Sequence, residues 1–280
     1  MIRHAEAMRR SRAALSAGGI ENAGFEARLL VAHVGGLARD CVPDPAAPID
    51  ADQLEALLAR RIGREPMAYI LGHQGFWTMD LAVSPVTLIP RADSEALIEA
   101  AQAARPDAGS VRRVLDLGTG TGCLLLAALT VFPEAWGLGI DRVPQAAALA
   151  AHNAAQTGMA GRTTFLCSDW ATAISGRFDL VLCNPPYIES AVIAGLAPEV
   201  AAHEPRSALD GGDDGLAAYR RLLPHLPTLL APGGVAVLEL GQSQAPALDG
   251  LARALGFAPP SWRDDLGGTP RAMILGPIAR

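Results

Sequence analysis

The stretch that decides the fold is VLDLGTGTG at residues 114–122, in which a short apolar run ends in three alternating glycines. An apolar segment with helical character follows it, from Cys123 to Val131. Glycine at alternate positions lets the backbone turn tightly and approach a ligand with no Cβ in the way. The spacing is GxGxG, whereas the dinucleotide-binding fingerprint is GxGxxG. We interpret the stretch as a strand, a cofactor-binding loop and a helix; a purely structural tight turn is the alternative.

Further short apolar runs follow along the chain, separated by segments with helical spacing. They lie at residues 136–140, 163–166, 178–183 and 235–240. Pro144, just after the first of these, stands where a proline opens a helix. Short apolar strands that alternate with helices are typical of an α/β fold with a parallel sheet covered on both faces. Such sheets bind ligands beyond the carboxyl ends of their strands, so functional residues are expected just after the runs.

The first 70 residues have a different pattern. Their apolar residues recur at helical spacing, which predicts several helices. Prolines between residues 43 and 48 predict a connector. Asp50 is placed to cap a further helix that runs to Ile62. The N-terminal part of the chain is therefore predicted to be a helical domain.

A second change of pattern lies between residues 72 and 90. The segments 76–78 and 81–83 flank Met79-Asp80. Two short apolar segments separated by two residues predict a hairpin, although this turn contains no glycine. We expect the hairpin to join the helical part to the α/β part.

The composition excludes several classes of protein. The chain has 280 residues, with 29 acidic and 23 basic side chains, a formal net charge of −6, and arginine at every basic position. Proteins that coat nucleic acid neutralise phosphates and usually carry net positive charge or a basic stripe, so direct nucleic-acid binding is not expected. Hydrophobic residues make up 50% and charged residues 19%, which excludes global disorder.

The cysteines and histidines indicate no metal or disulfide. Cys41, Cys123, Cys167 and Cys183 form no CxxC pair, so we expect free thiols in a reducing compartment. The six histidines show no metal-binding spacing. No apolar run approaches the roughly 20 residues of a membrane span, and the first residues carry no apolar signal core. We therefore expect a soluble, cytoplasmic protein with no membrane partner.

Two positions after the apolar runs suit a nucleoside. Asp141 closes the run at 136–140, and a carboxylate there can accept both hydroxyls of a ribose. Its alternative role is to cap the helix that Pro144 opens. Asp169 and Trp170 follow the next run and offer a carboxylate and an aromatic face where an adenine would lie, although Trp170 taken alone is more typical of a core. The pattern favours an adenosine-bearing cofactor.

The run at 178–183 leads directly into Asn184-Pro185-Pro186-Tyr187. An amide or exocyclic amine nitrogen is a poor nucleophile because its lone pair is delocalised. The side-chain carbonyl of Asn184 and the backbone carbonyl of Pro185 can accept the two N–H bonds of one NH₂ group, and Pro186 has no competing N–H. Tyr187 offers a flat face for stacking a planar substrate group. We interpret this segment as the reacting loop, with a proline turn of no function as the alternative.

These residues resemble those of the class I S-adenosylmethionine-dependent methyltransferases. Within that class the chain is similar, over nearly its whole length, to the protein-(glutamine N5) methyltransferases of peptide-chain release factors, the HemK family. The segments that carry the resemblance are 76–77, 83–85, 88–91, 94–95, 116–122, 141–142, 168–170, 184–188, 204–205, 208–209, 211–212, 214–216, 219–220, 233–234, 238–239 and 263–267. The NPPY motif alone is shared with adenine-N6 methyltransferases, whereas its combination with Ile89-Pro90-Arg91 is specific. Ala92 and Ser94 stand where the family commonly has proline and threonine.

The resemblance implies a fold and a domain organisation. It implies a Rossmann-like α/β domain with a mostly parallel seven-stranded sheet, a small N-terminal helical domain and a β-hairpin linker. We expect a substrate-docking helical domain at 1–72, the hairpin linker at 73–92 and the catalytic domain at 93–280. The expected partner is the release factor, and the enzyme is expected to be a monomer.

The resemblance also implies a reaction and a role for each site residue. The methyl group of S-adenosylmethionine would pass to the side-chain amide nitrogen N5 of the glutamine in the Gly-Gly-Gln loop of release factors, giving S-adenosylhomocysteine without a metal. The methionine part of the cofactor would be lined by Gly118, Thr119, Gly120, Thr121 and Gly122. Asp141 would hold the ribose and Trp170 would border the adenine. Asn184 and Pro185 would be catalytic, with Asn184 also near the cofactor, and Asn184, Pro185, Pro186 and Tyr187 would bind the glutamine.

Three other interpretations are open to tests. An adenine-N6 methyltransferase of DNA or RNA shares the NPPY chemistry, but the chain lacks basic or aromatic-rich stretches. A module that binds the cofactor without catalysis is disfavoured by the intact Asn184 and Tyr187. An α/β-hydrolase is suggested faintly by residues 241–244, although Ala245 replaces the last glycine of the nucleophile elbow.

Overall fold

The computed structural model describes residues 1–37, 44–265 and 267–276. It contains two compact units. Met1–His73 together with Ala197–His203 form the first, which we call the helical unit, and Gln74–Leu196 with Glu204–Arg280 form the second, the sheet unit. Cys41, Pro43 and Leu266, which enter the sequence analysis, lie outside the described residues.

The secondary structure of the described residues follows the predicted order. The helices are α1 (His4–Ala17), α2 (Ala23–Val34), α3 (Ala51–Ile62), α4 (Met67–Leu71), α5 (Glu95–Ala104), α6 (Cys123–Val131), α7 (Pro144–Gln156), α8 (Pro198–His203), α9 (Arg206–Leu209), α10 (Ala217–Leu222), α11 (Leu226–Leu229) and α12 (Ala245–Ala254). The strands are β1 (Ile2–Arg3), β2 (Pro48–Ile49), β3 (His73–Phe76), β4 (Met79–Ala82), β5 (Arg113–Leu117), β6 (Trp136–Asp141), β7 (Thr163–Cys167), β8 (Phe178–Cys183), β9 (Leu230–Glu239), β10 (Ser261–Asp264) and β11 (Pro270–Leu275).

The helical unit packs α1, α2 and α3 around a small apolar core. Leu15, Leu30 and Leu54, one from each helix, are buried in it. The predicted cap of α3 is confirmed, because Oδ1 of Asp50 accepts hydrogen bonds from the backbone N–H groups of Asp52 and Gln53 at 3.0 and 3.1 Å. A capped helix start satisfies donors that have no partner within the helix, which is why Asp50 fixes where α3 begins.

A buried arginine ties three parts of the helical unit together. Arg61 on α3 is 7% exposed. Its Nε donates to Glu26 on α2 at 2.6 Å, and its Nη1 donates to Glu199 on α8 at 3.0 Å. The helix α8 belongs to this unit although it follows the reacting loop in the chain, and no local sequence pattern indicates this. The ion pairs of Arg61 therefore stabilise the attachment of a remote segment to the N-terminal helices.

Replacing Arg61 with alanine is expected to destabilise the helical unit by about 2–3 kcal/mol, because Glu26 loses its ion-pair partner in a largely buried setting and Glu199 keeps only its longer pair with Arg64. The matched control is Arg60→Ala, which removes a neighbouring arginine whose pair with Glu65 is more exposed and is expected to cost less than about 1 kcal/mol. Chemical denaturation of both variants measures the difference. Equal losses in the two variants would contradict the expectation.

The sheet unit is built on one seven-stranded sheet with the order β10-β11-β9-β8-β5-β6-β7. Neighbours from β9 to β7 pair in parallel, whereas β11 pairs antiparallel with both β9 and β10. The five strands predicted from apolar runs are confirmed as β5 to β9, and the predicted helix at Cys123–Val131 is confirmed as α6. The chain reverses strand order between β5 and β8, so a crevice opens at the carboxyl ends of these strands.

Apolar side chains cover both faces of the sheet. One core cluster contains the fully buried Phe178, Tyr219 and Leu226, and the other contains Leu97, Leu125 and Phe132. Strands buried on both faces lose the alternation of polar and apolar residues, which explains the continuous apolar runs that reveal them in the sequence.

The predicted hairpin is confirmed, but its turn lies earlier than expected. The strands are β3 and β4, so the turn is formed by Trp77-Thr78 and not by Met79-Asp80. Trp77 adopts a positive φ of 54°, a conformation that a non-glycine residue rarely takes. Its backbone N–H donates to Glu95 at 2.7 Å, and Phe76 beside it is buried, so tertiary contacts hold the turn where no glycine indicates it.

Candidate active site

A cavity of about 540 Å³ opens at the carboxyl ends of β5 to β8 in the sheet unit. Its volume lies in the range of small-molecule sites, about 300–1,000 Å³. The predicted site residues on its wall are Gly118, Thr119, Gly120, Thr121, Asp141, Trp170, Asn184 and Pro186. The structure thus brings residues from four consecutive strand ends to one cavity. The predicted residues Gly122, Pro185 and Tyr187 are not among the residues that line it.

The glycine loop after β5 forms the floor of the cavity. Gly118 and Gly120 have φ values of +75° and +54°, and an added Cβ at either would have its nearest neighbour 3.9 Å away. Side chains at these two positions would therefore project into open space that a ligand can use. Gly122 differs, because its added Cβ would meet Ala150 at 3.2 Å, so this glycine serves the packing of α6 against α7.

Asp116, at the end of β5, is the buried carboxylate of this loop. Its Oδ2 accepts a hydrogen bond from the hydroxyl of Thr119 at 2.7 Å. Burial raises the pKa of Asp116 to about 7, and the hydrogen bond from Thr119 opposes this shift. A carboxyl with a pKa near neutrality, set directly beneath a glycine loop, is a feature that pattern reading alone does not provide.

Asp141, at the end of β6, anchors the glycine loop. Its Oδ2 accepts from the backbone N–H of Gly120 at 3.0 Å, and its Oδ1 accepts from that of Val143 at 2.9 Å. The bond to Val143 is an Asx turn that precedes α7, whose N-cap is Val143 with no side-chain cap hydrogen bond, so the alternative role of Asp141 as the helix cap is wrong. Because a carboxylate has about four lone-pair sites, two remain for hydroxyl groups of a ligand.

Trp170 borders the same cavity with a strained backbone. Its φ is +50°, in the left-handed region that tryptophan rarely adopts. The preceding Asp169 forms an ion pair with Arg221, and both of these residues also line the cavity. Strain of this kind persists where surrounding contacts demand one orientation, and here it presents the indole at the wall.

The reacting loop follows β8. Asn184 and Pro186 line the cavity, and Pro185 between them is buried. Nδ2 of Asn184 donates to the hydroxyl of Ser94 at 3.2 Å. This bond turns the amide nitrogen of Asn184 toward the protein and leaves the side-chain carbonyl as the group available to a ligand.

Tyr187 packs into the protein behind that wall. Its hydroxyl donates to Oε1 of Glu239 at 3.1 Å, and its ring packs against the core. Burial raises the pKa of Tyr187 above its usual range, and the nearby Glu239 raises it further. Its side chain is thus held by the end of β9.

A clamp that the sequence analysis did not identify holds the backbone of this loop. Nε2 of Gln244 donates to the carbonyl oxygens of Tyr187 and Gly215 at 3.0 and 3.2 Å, and its Oε1 accepts from the N–H of Gly241. An added Cβ at Gly215 would lie 2.4 Å from the carbonyl oxygen of Tyr187. Gln244, which lies within the segment noted for a faint hydrolase pattern, therefore fixes the reacting loop.

Two buried carboxyls predict an unusual dependence of stability on pH. Burial raises the pKa of both Asp116 and Glu239 to about 7, from ordinary values of 3.8 and 4.5. The folded protein then binds more protons than the unfolded chain between about pH 4 and 7, so the free energy of unfolding is expected to rise as the pH falls from 8 to 6.

Thermal unfolding of the cofactor-free protein at both pH values measures this trend. Asp116→Asn, which cannot titrate, is expected to show a smaller rise in stability on acidification than the original protein. A variant with the same pH dependence as the original protein would rule out Asp116 as a source of the effect.

The described residues offer neither a clustered metal site nor a membrane-spanning helix. In that part of the chain, no group of three or more His, Cys, Asp or Glu side chains could hold a metal ion. Among the same residues, no helix is both long enough and apolar enough to span a membrane.

The sheet order, with its antiparallel β11, and the cavity at the carboxyl ends of β5 to β8 define a class I methyltransferase. The fold is similar to that of a methyltransferase from Pyrococcus furiosus, with a TM-score of 0.54, 16% identity, and coverage of 81% of this chain and 98% of that chain. Family models described as PrmC N-terminal domain and Methyltransferase small domain match residues 6–72 and 92–215.

Two curated relatives extend the comparison to the whole chain. The release factor glutamine methyltransferase of Rhodospirillum rubrum is 48% identical over 264 residues, which cover 93% of this chain and 81% of the relative. The protein of the same name from Cereibacter sphaeroides is 44% identical over 274 residues, which cover 96% and 97%. The chain belongs to the release factor glutamine methyltransferase family, and the resemblance stated from its motifs is confirmed.

Proposed function

We propose that this protein transfers the methyl group of S-adenosylmethionine to the side-chain amide nitrogen N5 of the glutamine in the Gly-Gly-Gln loop of peptide-chain release factors. The observation that carries the proposal is the orientation of Asn184. Its amide nitrogen is occupied by Ser94 and its carbonyl remains at a cavity that suits an adenosine-bearing cofactor. The names of the relatives supply the substrate.

The residues of the cavity fit the cofactor. Open space above Gly118 and Gly120 suits its methionine part, the free lone pairs of Asp141 suit the ribose, and Trp170 offers an apolar face for the adenine. Bound S-adenosylmethionine supplies an electrophilic methyl carbon on a positively charged sulfur. The remaining work of the site is to hold an amide nitrogen in line with that carbon.

Asn184 and Pro185 address the weakness of the amide nitrogen as a nucleophile. Its lone pair is delocalised into the carbonyl, with a resonance that gives peptide bonds a rotation barrier of about 18–20 kcal/mol. The carbonyl of Asn184 and the backbone carbonyl of Pro185 accept the two N–H bonds, which favours the pyramidal nitrogen and aims its lone pair. Positioning of this kind contributes up to about 7–11 kcal/mol in favourable systems.

The proton of the methylated nitrogen needs no strong base. It leaves to solvent water after the new bond has formed, when the nitrogen is acidic. Pro186 has no N–H that could compete for the carbonyls of Asn184 and Pro185. The loop is therefore assigned a positioning role, with turnover set by geometry.

The helical domain is proposed to dock the release factor. We propose that the docking domain comprises residues 1–72, the linker residues 73–92 and the catalytic domain residues 93–280. A large protein substrate needs contacts beyond a single glutamine, and the N-terminal match to a PrmC domain supports this assignment.

The decisive experiment is methyl transfer from labelled cofactor to a purified release factor, with the methyl located by mass spectrometry. We expect one methyl on the glutamine of the Gly-Gly-Gln loop and none on a release factor in which that glutamine is replaced by alanine. Parallel reactions with DNA and RNA test the adenine-N6 alternative. A methyl found elsewhere, or only on nucleic acid, would overturn the proposal.

A further inference from the structure

Behind the reacting loop lies a chain of hydrogen bonds that ends on a buried carboxylate. Asn184 donates to the hydroxyl of Ser94, and that hydroxyl donates to Oε2 of Glu239. The hydroxyl of Tyr187 donates to Oε1 of the same carboxylate. Ser94 and Glu239 are each 2% exposed, so water is excluded from the links between them. These side chains come from the start of α5, the end of β8 and the end of β9.

The chemistry of these groups fixes the direction of every hydrogen bond in the chain. At a pH above its raised pKa of about 7, the Glu239 carboxyl is ionised and only accepts hydrogen bonds, so the single proton of the Ser94 hydroxyl then points to Glu239. The oxygen of Ser94 can then only accept from its other neighbour. Asn184 must therefore present its NH₂ group to Ser94 and its carbonyl to the cavity.

We propose that Glu239 is a positioning residue that, through Ser94, holds the Asn184 amide with its oxygen toward the substrate. This inference rests on the proposed function, because the oxygen matters only if an N–H donor binds there. If the hydrogen bonds from Asn184 through Ser94 to Glu239 ran in the opposite direction, the Asn184 NH₂ group would point toward the substrate NH₂ group. Two hydrogen-bond donors would then face each other. The Glu239 carboxylate thus determines which of two orientations of nearly equal shape the Asn184 amide adopts.

The substitution Glu239→Gln tests this polarity with almost no change in side-chain shape. The amide oxygen of the variant side chain accepts from Tyr187, so its NH₂ group faces Ser94 and donates to it. The proton of Ser94 then points to Asn184 and attracts the amide oxygen away from the cavity. Glu239→Gln is expected to lower kcat by about tenfold to a hundredfold, while the Kd of the cofactor stays within about twofold.

The double variant separates positioning from a merely structural role. Ser94→Ala alone frees Asn184 and is expected to lower kcat less than Glu239→Gln does. Combined with Glu239→Gln, it removes the group that transmits the reversed polarity, so the double variant is expected to be several-fold more active than Glu239→Gln alone. Ser94→Thr keeps the hydroxyl and is expected to retain activity, and Thr228→Ala is the control for loss of an exposed hydroxyl in the sheet unit.

A second readout does not depend on methyl transfer. The side-chain NH₂ signals of Asn184, identified by NMR through their loss in Asn184→Ala, are expected to be protected from exchange in the original protein and in Ser94→Thr. They are expected to lose protection in Ser94→Ala and Glu239→Gln. Unchanged signals in Glu239→Gln, or additive losses of kcat in the double variant, would overturn the inference. Failure of the proposed function shows differently, as absence of release-factor methylation by the original protein.

Discussion

Replacement of Asn184 with alanine is expected to lower the rate of methyl transfer to a release factor by about 10²–10³-fold, with little change in cofactor binding. The removed carbonyl would contact the substrate nitrogen most strongly when its N–H bonds become acidic. Loss of one preorganised group of this kind commonly costs an enzyme about two to three orders of magnitude in kcat. The effect should therefore appear in kcat, measured under saturating release factor and cofactor.

The substitution Asn184→Asp tests whether the amide group itself is needed, or only a side chain of the same size. An aspartate has nearly the same shape but cannot donate to Ser94, and it places a second carboxylate close to the buried Glu239. It is expected to be nearly as impaired as the alanine variant. The control is Gln242→Ala, which removes an exposed amide side chain close to the clamp but outside the cavity wall. More than about a tenth of the original turnover in Asn184→Ala would contradict the assigned role.

Local patterns account for the parts of the fold that the sequence predicts. The continuous apolar runs that become β5, β6, β8 and β9 are visible because these strands are buried on both faces, whereas β7 at the sheet edge is largely exposed. Asp50 reveals the start of α3 because a cap acts within three residues. The glycine loop reveals itself since positive φ at Gly118 and Gly120 restricts the residue type.

Other features depend on contacts between distant parts of the chain. Five of the seven strands are predicted from apolar runs, and only the family resemblance implies β10 and β11. The strand β10 is partly exposed along its length and lacks an apolar run. Ser94 and Glu239 are 145 residues apart in sequence, and no local pattern pairs them. Likewise, the turn at Trp77 depends on Glu95 from the following helix, and α8 belongs to the helical unit because Glu199 meets Arg61.

The identity of the main site residues could also be predicted from local patterns, whereas their orientation could not. Asp141, Trp170 and Asn184 could be chosen from the sequence because parallel strands deliver their carboxyl ends to one edge of the sheet. The sequence does not predict which atoms of these residues face the cavity. The orientation of Asn184 depends on Ser94, and the position of the Tyr187 backbone depends on Gln244, which are both tertiary contacts.

Asp141→Ala is expected to weaken binding of S-adenosylmethionine by about a hundredfold. Hydrogen bonds from hydroxyl groups to a charged acceptor contribute about 1.5–3 kcal/mol each, and each 1.4 kcal/mol corresponds to a factor of ten. The variant also removes the acceptor for the N–H of Gly120, so the loop beneath the cofactor loses an anchor. Isothermal titration of the purified protein with the cofactor measures this change directly.

Asp179 supplies a closely matched control, because it uses a carboxylate in the same way at the other end of the sheet. Its Oδ2 accepts from the backbone N–H groups of Arg112 and Arg113 at 2.8 and 2.9 Å, near the start of β8 and away from the cavity wall. Asp179→Ala is expected to lose comparable backbone support and yet keep its affinity for the cofactor. If both variants bound the cofactor equally well, Asp141 would be a loop anchor alone, and the ribose would have to be held by other groups on the wall.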